Sequence, residues 1–427
     1  MVKIAIKTQG CSHNYADSEQ MAGLLQQAGH ELVEESEAEL VLFNTCTVKS
    51  PTENQFLKDL KQVQQTNKKI IIGGCIPQAD PTKFKEFSVI GTRQLDNVVE
   101  VVNKTLNNEV IQLLQRNEKP SLLMPTIRRH PLIQTIPISL GCLNSCTFCK
   151  TKLARGHLSS YAPELIIDKV RRTTSEGVKE IWLTSQDTGC YGFDIGTNSA
   201  KLLKELCKIE KDFRIRFGMG NPNHFVKITD ELINAYKHDK VFKFLHIPVQ
   251  AGNDDVLTAM HREYRAADFV KVIDQFRKAI HDITISTDII CGFPTETAEQ
   301  FEDTIQLLER TRPDIVNVSR YWSRSGTVAS RMKQIQGSEI KRRSRIMTDV
   351  CDQLSLDGNL KWLGWTGKVL VNELGKNNTY IARNHAYKQI IIKTKNELKL
   401  GTWVDVKIID VGIVDLKGEM INPTQPV

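Results

Sequence analysis

The chain has 427 residues, is 40% hydrophobic and 25% charged, and carries a net charge of +7 at neutral pH. That profile excludes a disordered or fibrous protein, and a chain of this length divides into two or three domains. No run approaches the ~18 consecutive apolar residues of a membrane span, and the opening MVKIAIKTQG alternates like a strand rather than a signal peptide. The expected location is therefore the cytoplasm, without a membrane partner. Residues 1–115 carry 11 basic and 14 acidic side chains, 116–358 carry 36 and 30, and 359–427 carry 10 and 6. A basic surplus confined to the later segments suits a polyanionic partner, and equally a solvated surface with a basic bias.

The first hundred residues repeat a unit of apolar strand, cysteine and helix. Lys3–Lys7 leads through Gly10 to Cys11, and Met21, Leu24, Leu25 and Ala28 follow at helical spacing. Leu40–Phe43 leads to Cys46 and a helix around Phe56, Leu57, Leu60 and Val63; Ile70–Ile72 leads through Gly73 and Gly74 to Cys75. Alternating strands and helices predict a parallel sheet in a three-layer domain over 1–115, with the loops after its strands at one edge. Cysteines 35 and 29 residues apart would then converge.

Residues 115–135 hold three prolines and no period, and read as a linker. A longer alternation occupies a second domain, 128–358, with strands at Ile136–Leu140, Glu180–Thr184, Arg214–Gly218, Phe244–Val249, Thr284–Ile290 and Ile315–Ser319. Helices are expected at 163–176, 199–209 and 267–280. Six such units suit a partial (β/α)6 barrel, whose chemistry sits at the carboxyl ends of the strands. Residues 331–345, with six Lys or Arg against one Glu, read as a helix leading out of the barrel. Over 359–422 the chain turns to short β-branched runs between Gly and Asn turns, at Gly367–Val371, Tyr380–Ala382, Gln389–Ile392 and Trp403–Ile409. These predict a small β-barrel of the oligonucleotide-binding kind.

Ten cysteines in a chain without an export signal point to metal ligands or catalysis rather than disulfides. Cys142, Cys146 and Cys149 form C-x3-C-x2-C directly after the first barrel strand. Three thiolates on one short loop leave a fourth position open, which suits a four-iron cluster with one exchangeable iron. Structural zinc wants a closed set of four, which His157 could complete. Cys11, Cys46 and Cys75 could each be an ordinary buried thiol; jointly, each just past a β-branched strand, they form a second trio. Cys190, Cys207, Cys291 and Cys351 have no ligand-like spacing. Gln186, Asp187, Gln250 and Asp288 sit at strand ends, where they bind a ligand or cap the next helix. His13 lines the Cys11 site or is a satisfied loop residue.

The C-x3-C-x2-C loop resembles the radical S-adenosylmethionine superfamily, in which the open iron chelates the methionine moiety of the cofactor. That resemblance implies cofactor contacts at Gln186 and Asp187, in Thr184-Ser185-Gln186-Asp187, and at Gln250 and Asp288, in the stretches after His246 and before Gly292-Phe293-Pro294. The second trio, in Thr8-Gln9-Gly10-Cys11-Ser12-His13-Asn14, Asn44-Thr45-Cys46-Thr47-Val48 and Gly73-Gly74-Cys75-Ile76-Pro77-Gln78, resembles the methylthiotransferase family. The Cys-Ser-His-Asn and Cys-Thr-Val-Lys forms, with Ala154-Arg155-Gly156, look most like its archaeal and eukaryotic branch. That branch modifies threonylcarbamoyladenosine beside the tRNA anticodon, and its C-terminal domain is a TRAM domain. The chain departs from animal members, which carry a C-terminal membrane anchor, by stopping at Gln425-Pro426-Val427.

What the resemblance implies is a tRNA methylthiotransferase with two [4Fe-4S] clusters and two S-adenosylmethionine molecules per turnover. The Cys142 trio would serve radical formation and the Cys11 trio sulfur carriage, with an electron donor and a sulfur donor as further partners. The target adenine in the anticodon loop must be splayed out to be reached. Lys341, Arg342, Arg343 and Arg345 are candidate contacts to tRNA phosphates, or else a solvated helix face. Other readings stand beside this one: the same chemistry on isopentenyladenosine or on an aspartate of a ribosomal protein, or a non-catalytic metalloprotein that binds RNA.

Overall fold

The computed structural model describes residues 1–48, 50–116 and 119–421, apart from the side chain of Ser50. Lys49 of the Cys-Thr-Val-Lys stretch, the expected domain end at 422 and Gln425–Val427 lie outside the described residues. The chain forms two compact units. The first is Met1–Thr173 with Trp182–Thr197 and Trp322–Ser330; the second is Thr174–Ile181, Asn198–Tyr321 and the chain from Arg331 onward.

Within the first unit, strands β1 (Lys3–Thr8), β2 (Glu31–Leu32), β3 (Leu40–Thr45), β4 (Lys69–Gly74), β5 (Ser88–Ile90) and β6 (Gln112–Leu113) form one sheet of order β2-β1-β3-β4-β5-β6. Every neighbouring pair is parallel. Leu40 through Phe43 are all at most 1% exposed, the continuous apolar run of a strand covered on both faces. Ile4, Leu40, Leu42 and Ile71 face Met21 and Leu25 of α1 (Ser12–Gln27) and Val98 and Val101 of the helix Val98–Leu106. Val41, Phe43 and Ile72 face Phe56, Leu60 and Val63 of α2 (Ser50–Gln64). The result is the expected three layers.

The expected linker is not a free tether in its described part. Leu122 and Met124 are buried, Met124 in the core under α1, and the backbone N–H of Ile127 and of Arg129 donate to the carbonyl and the carboxylate of Glu19. Proline-rich composition predicted the missing periodicity, but two apolar anchors and a buried acceptor on α1 hold the segment down.

All six expected barrel strands form, at Ile133–Pro137 with Ser139–Leu140, Glu180–Thr184, Arg214–Phe217, Phe244–His246, Thr284–Cys291 and Ile315–Arg320. In the second unit, Thr284–Cys291 pairs in parallel with both Phe244–His246 and Ile315–Arg320. The helices come at Pro163–Ser175, Ser199–Cys207 and Ala266–Ala279. The long basic helix runs from Gly337 to Leu360, so residues 331–336 of the expected helix precede it. The C-terminal segment is a closed five-stranded barrel in the order Thr366–Leu374, Thr379–Arg383, Gln389–Lys393, Leu416–Met420 and Trp403–Val411. Sequence patterning finds four of these. Leu416–Met420 escapes it because Gly418 interrupts the alternation; a Cβ there would lie 3.0 Å from the Ile390 side chain, which would have to give way. Among the described residues no helix is long and apolar enough to cross a membrane.

Candidate metal centres and the basic helix

Strand register dictates the first constellation. Thr8 pairs with Asn44, Asn44 with Gly73 and Thr45 with Gly74, so three strands end side by side at one edge. Cys46 and Cys75 follow directly, and Cys11 lies at the start of α1. Gly10, at φ +118°, lies against Cys46: a Cβ there would sit 2.4 Å from its Cβ and 2.7 Å from its Sγ. Asn14 gathers the other two, its Oδ1 lying 3.5 Å from Cys11 Sγ and 3.9 Å from Cys75 Sγ. Its Nδ2 donates to the carbonyls of Thr45 (2.8 Å) and Gln9 (3.2 Å).

Behind Asn14 lies a buried ion pair. Arg155 Nη2 reaches Asp17 Oδ2 at 2.6 Å and Asn14 Oδ1 at 3.1 Å. Burial opposes its charge, but the Asp17 carboxylate outweighs that and keeps it protonated. Burial, and then Arg155, pull His13 well below the usual imidazole range, so it is neutral at pH 7. Burial pushes the Cys46 thiol up to about 12 and the Cys75 thiol upward, with Arg155 opposing at Cys75. Left alone these thiols stay protonated; a metal that takes their protons turns them into soft thiolate donors. Three converging sulfurs fit an iron–sulfur group.

The second trio lies on the loop after Ser139–Leu140. Gly141 turns the chain at φ +71°, where a Cβ would meet the His157 carbonyl at 2.0 Å. Cys142 N–H donates to the Gly156 carbonyl (3.3 Å), Cys149 N–H to the Cys146 carbonyl (3.1 Å) and Ala329 N–H to the Thr147 carbonyl (2.9 Å). Burial pushes Cys149 to about 11. His157, weighed above as a zinc ligand, is exposed and its ring meets Lys152 Nζ at 3.4 Å. Cys190, unremarkable by spacing, donates its S–H to the Asp187 carbonyl at 3.2 Å and lies against Cys142, whose thiol it pulls down. No local signal marks it, because a separate strand–turn brings it in.

The two cysteine loops share one unit and are joined by hydrogen bonds. His13 Nδ1 meets Gln186 Nε2 at 3.1 Å, and Gln186 Oε1 accepts from Gly141 N–H at 2.7 Å. Ser12 and Thr184 hydroxyls meet at 3.0 Å. Gln186 thus ties the loops together, a role its sequence position does not announce. Asp187 is buried and accepts from Gly189 N–H at 2.9 Å, the capping alternative.

Gln250 and Asp288 belong to the second unit. Gln250 has φ +72°, its N–H donates to the Asp288 carbonyl (2.9 Å) and its carbonyl accepts from Ile290 N–H (3.0 Å). Asp288 Oδ1 accepts from Asn317 Nδ2 at 2.7 Å and meets His246 Nε2 at 3.1 Å. Of the basic quartet, Lys341, Arg342 and Arg345 are exposed. Arg343 is a correction: it is 5% exposed, Nη1 on Glu296 Oε2 at 2.7 Å and Nε on Glu339 Oε1 at 2.8 Å, which leaves it no charge to offer a phosphate.

Three family models match: uncharacterized protein family UPF0004 at residues 3–91, the radical SAM superfamily at 136–308 and the TRAM domain at 363–421. The radical SAM family implies S-adenosylmethionine and a four-iron cluster. The chain is 42% identical to a probable threonylcarbamoyladenosine tRNA methylthiotransferase of Pyrococcus horikoshii, over 99% of this chain and all of that one. It is 41% identical to the human threonylcarbamoyladenosine tRNA methylthiotransferase, over 98% of this chain and 74% of that one. Among solved structures, the radical S-adenosylmethionine methyltransferase TsrM from Kitasatospora setae shares the fold, with a TM-score of 0.54, 14% identity and 77% of each chain covered. Likeness over nearly the whole of this chain to both methylthiotransferases, with all three family models in order along it, leads to one conclusion: the chain belongs to the threonylcarbamoyladenosine tRNA methylthiotransferase family.

Proposed function

We propose that this protein adds a methylthio group to carbon 2 of threonylcarbamoyladenosine beside the tRNA anticodon, using two S-adenosylmethionine molecules and two [4Fe-4S] clusters. The observation that carries this reading is the pair of cysteine trios in one compact unit, linked through His13, Gln186 and Gly141. Cys142, Cys146 and Cys149 hold one cluster, and Cys11, Cys46 and Cys75 the other. When bound, these groups and S-adenosylmethionine supply the radical chemistry and the sulfur and methyl that replace an unreactive aromatic hydrogen, which side chains alone cannot do.

The protein's own part is to hold and orient. Asn14 and Gly10 pack the N-terminal sulfurs together, while Gln186 fixes the loop that starts at Gly141. Asp288, oriented by Asn317 and His246, would accept hydrogen bonds from the cofactor, and Asp187 and Gln250 at other strand ends would be further contacts. Segments 1–115, 128–358 and 359–422 carry the N-terminal cluster, the radical core and the RNA-binding barrel. Lys341, Arg342 and Arg345 supply phosphate contacts. A reductase or other electron donor, a sulfur donor and a cytoplasmic location complete the reading.

The test is mass spectrometry of tRNA nucleosides from a host that makes threonylcarbamoyladenosine but not its methylthio form, with and without this gene. The methylthio nucleoside is expected only with it. If it is missing while the purified protein holds two clusters, the substrate is wrong; if clusters are missing too after anaerobic reconstitution, the enzyme reading falls. Cys146→Ala should abolish cofactor cleavage, whereas Cys46→Ala should keep cleavage and abolish methylthio transfer. Equal loss of both activities in Cys46→Ala, with the Cys142 cluster intact by spectroscopy, would refute the division of labour.

A further inference from the structure

Arg155 is 1% exposed, and an arginine stays charged even there. A buried charge needs partners on every face, because each unpaired N–H costs free energy. Its partners are uneven. Nη2 carries both Asp17 Oδ2 (2.6 Å) and Asn14 Oδ1 (3.1 Å), while Nη1, equally buried, has no hydrogen-bond partner among the described residues. The same Asn14 Oδ1 lies 3.5 Å from Cys11 Sγ and 3.9 Å from Cys75 Sγ. A buried cation thus stands against the Cys75 thiol itself and one side chain away from Cys11.

An iron–sulfur group on three thiolates is anionic, and gaining an electron makes it more so. Net charge and hydrogen bonding around the sulfurs are the protein's means of setting its potential. A fixed positive charge in a site that excludes water favours the more negative form. We infer that Arg155 is a positioning residue whose guanidinium charge raises the reduction potential of the group held by Cys11, Cys46 and Cys75. This rests on the reading of those cysteines as cluster ligands, and the experiment separates the two.

The test uses the full chain carrying Cys142→Ala, Cys146→Ala and Cys149→Ala, reconstituted anaerobically, so that only the N-terminal site holds iron. Iron and sulfide content come first, then a potentiometric titration with dithionite as the electron source, followed by electron paramagnetic resonance. Adding Arg155→Gln should shift the one-electron equilibrium about tenfold against reduction, a midpoint ~59 mV lower. Arg155→Lys, which keeps the charge, should stay with the parent. Asp17→Asn, which leaves the guanidinium less compensated, should move the midpoint the other way. A purely structural Arg155 would not give opposite signs. Coincident midpoints for Arg155→Gln and the parent overturn the inference, as does Arg155→Lys falling with Arg155→Gln. Should Arg155→Gln fail to hold iron, Asp17→Asn decides: an upward shift supports the inference, and no shift overturns it. A parent without iron overturns the ligand reading and the inference with it.

Discussion

Arg343 and Lys341 stand two positions apart in one basic run and do opposite things. Arg343 is buried on Glu296, itself buried, so Arg343→Ala would strand a carboxylate in the interior and should cost about 3 kcal/mol or more by urea denaturation. Lys341→Ala, at an exposed position, should stay within about 0.5 kcal/mol of the parent and instead weaken tRNA binding. The difference was available in the sequence. Arg343, Met347, Cys351 and Leu354 recur at helical spacing and form the buried stripe, while Lys341, Arg342 and Arg345 fall off it. Counting charges hides this; stepping by a helical turn exposes it. The two cysteine trios stand out in the sequence because their spacing is local, or repeats with the strand–helix unit. Arg155, Cys190 and the linking role of Gln186 do not, since their meaning depends on chain segments far away in sequence.

At the scale of elements, the turn after β4 is the tightest requirement. Gly74 has φ +88°, and a Cβ would meet Asn44 Oδ1 at 2.4 Å and the Thr45 backbone at 2.6 Å. Gly74→Ala should therefore displace Cys75 and halve, about, the iron bound per chain after reconstitution, with the Cys142 site still loaded. Unchanged iron stoichiometry would show that the turn does not position the ligand. The start of the helix Gly337–Leu360 offers a pH test. Hydrogen bonds from Arg342 and Arg343 hold the Glu339 carboxyl down at about 2. A depressed folded pKa contributes stability that is full above the unfolded value of about 4.3 and is lost as pH falls towards 2. Glu339→Gln should flatten the acid limb of the urea midpoint across that window, most visibly at low salt because the pair is at the surface.

For the molecule as a whole, the basic surplus is a statement about salt. If Lys341, Arg342 and Arg345 meet phosphates, neutralising all three should lower the slope of log affinity for tRNA against log salt by about 2 to 3. An unchanged slope would assign them to solvent. The fold class was legible because strand and helix periods alternate cleanly over most of the chain. The fifth barrel strand was hidden by Gly418, and the seating of residues 119–135 by two apolar anchors inside a proline-rich stretch.

The first unit is discontinuous: Trp322–Ser330 returns to it long after Thr173, bringing Arg324 to Glu53 at 3.1 Å, Ser325 to Lys150 at 3.0 Å and the Ala329 N–H to Thr147. During synthesis both cysteine loops leave the ribosome well before the segment that completes their surroundings. An N-terminal fragment ending at Thr173 is missing a wall, not merely a neighbour. A chain stopped at Thr173 should accordingly take up less iron on anaerobic reconstitution than the full chain, and equal uptake would show that the returning segment is not needed.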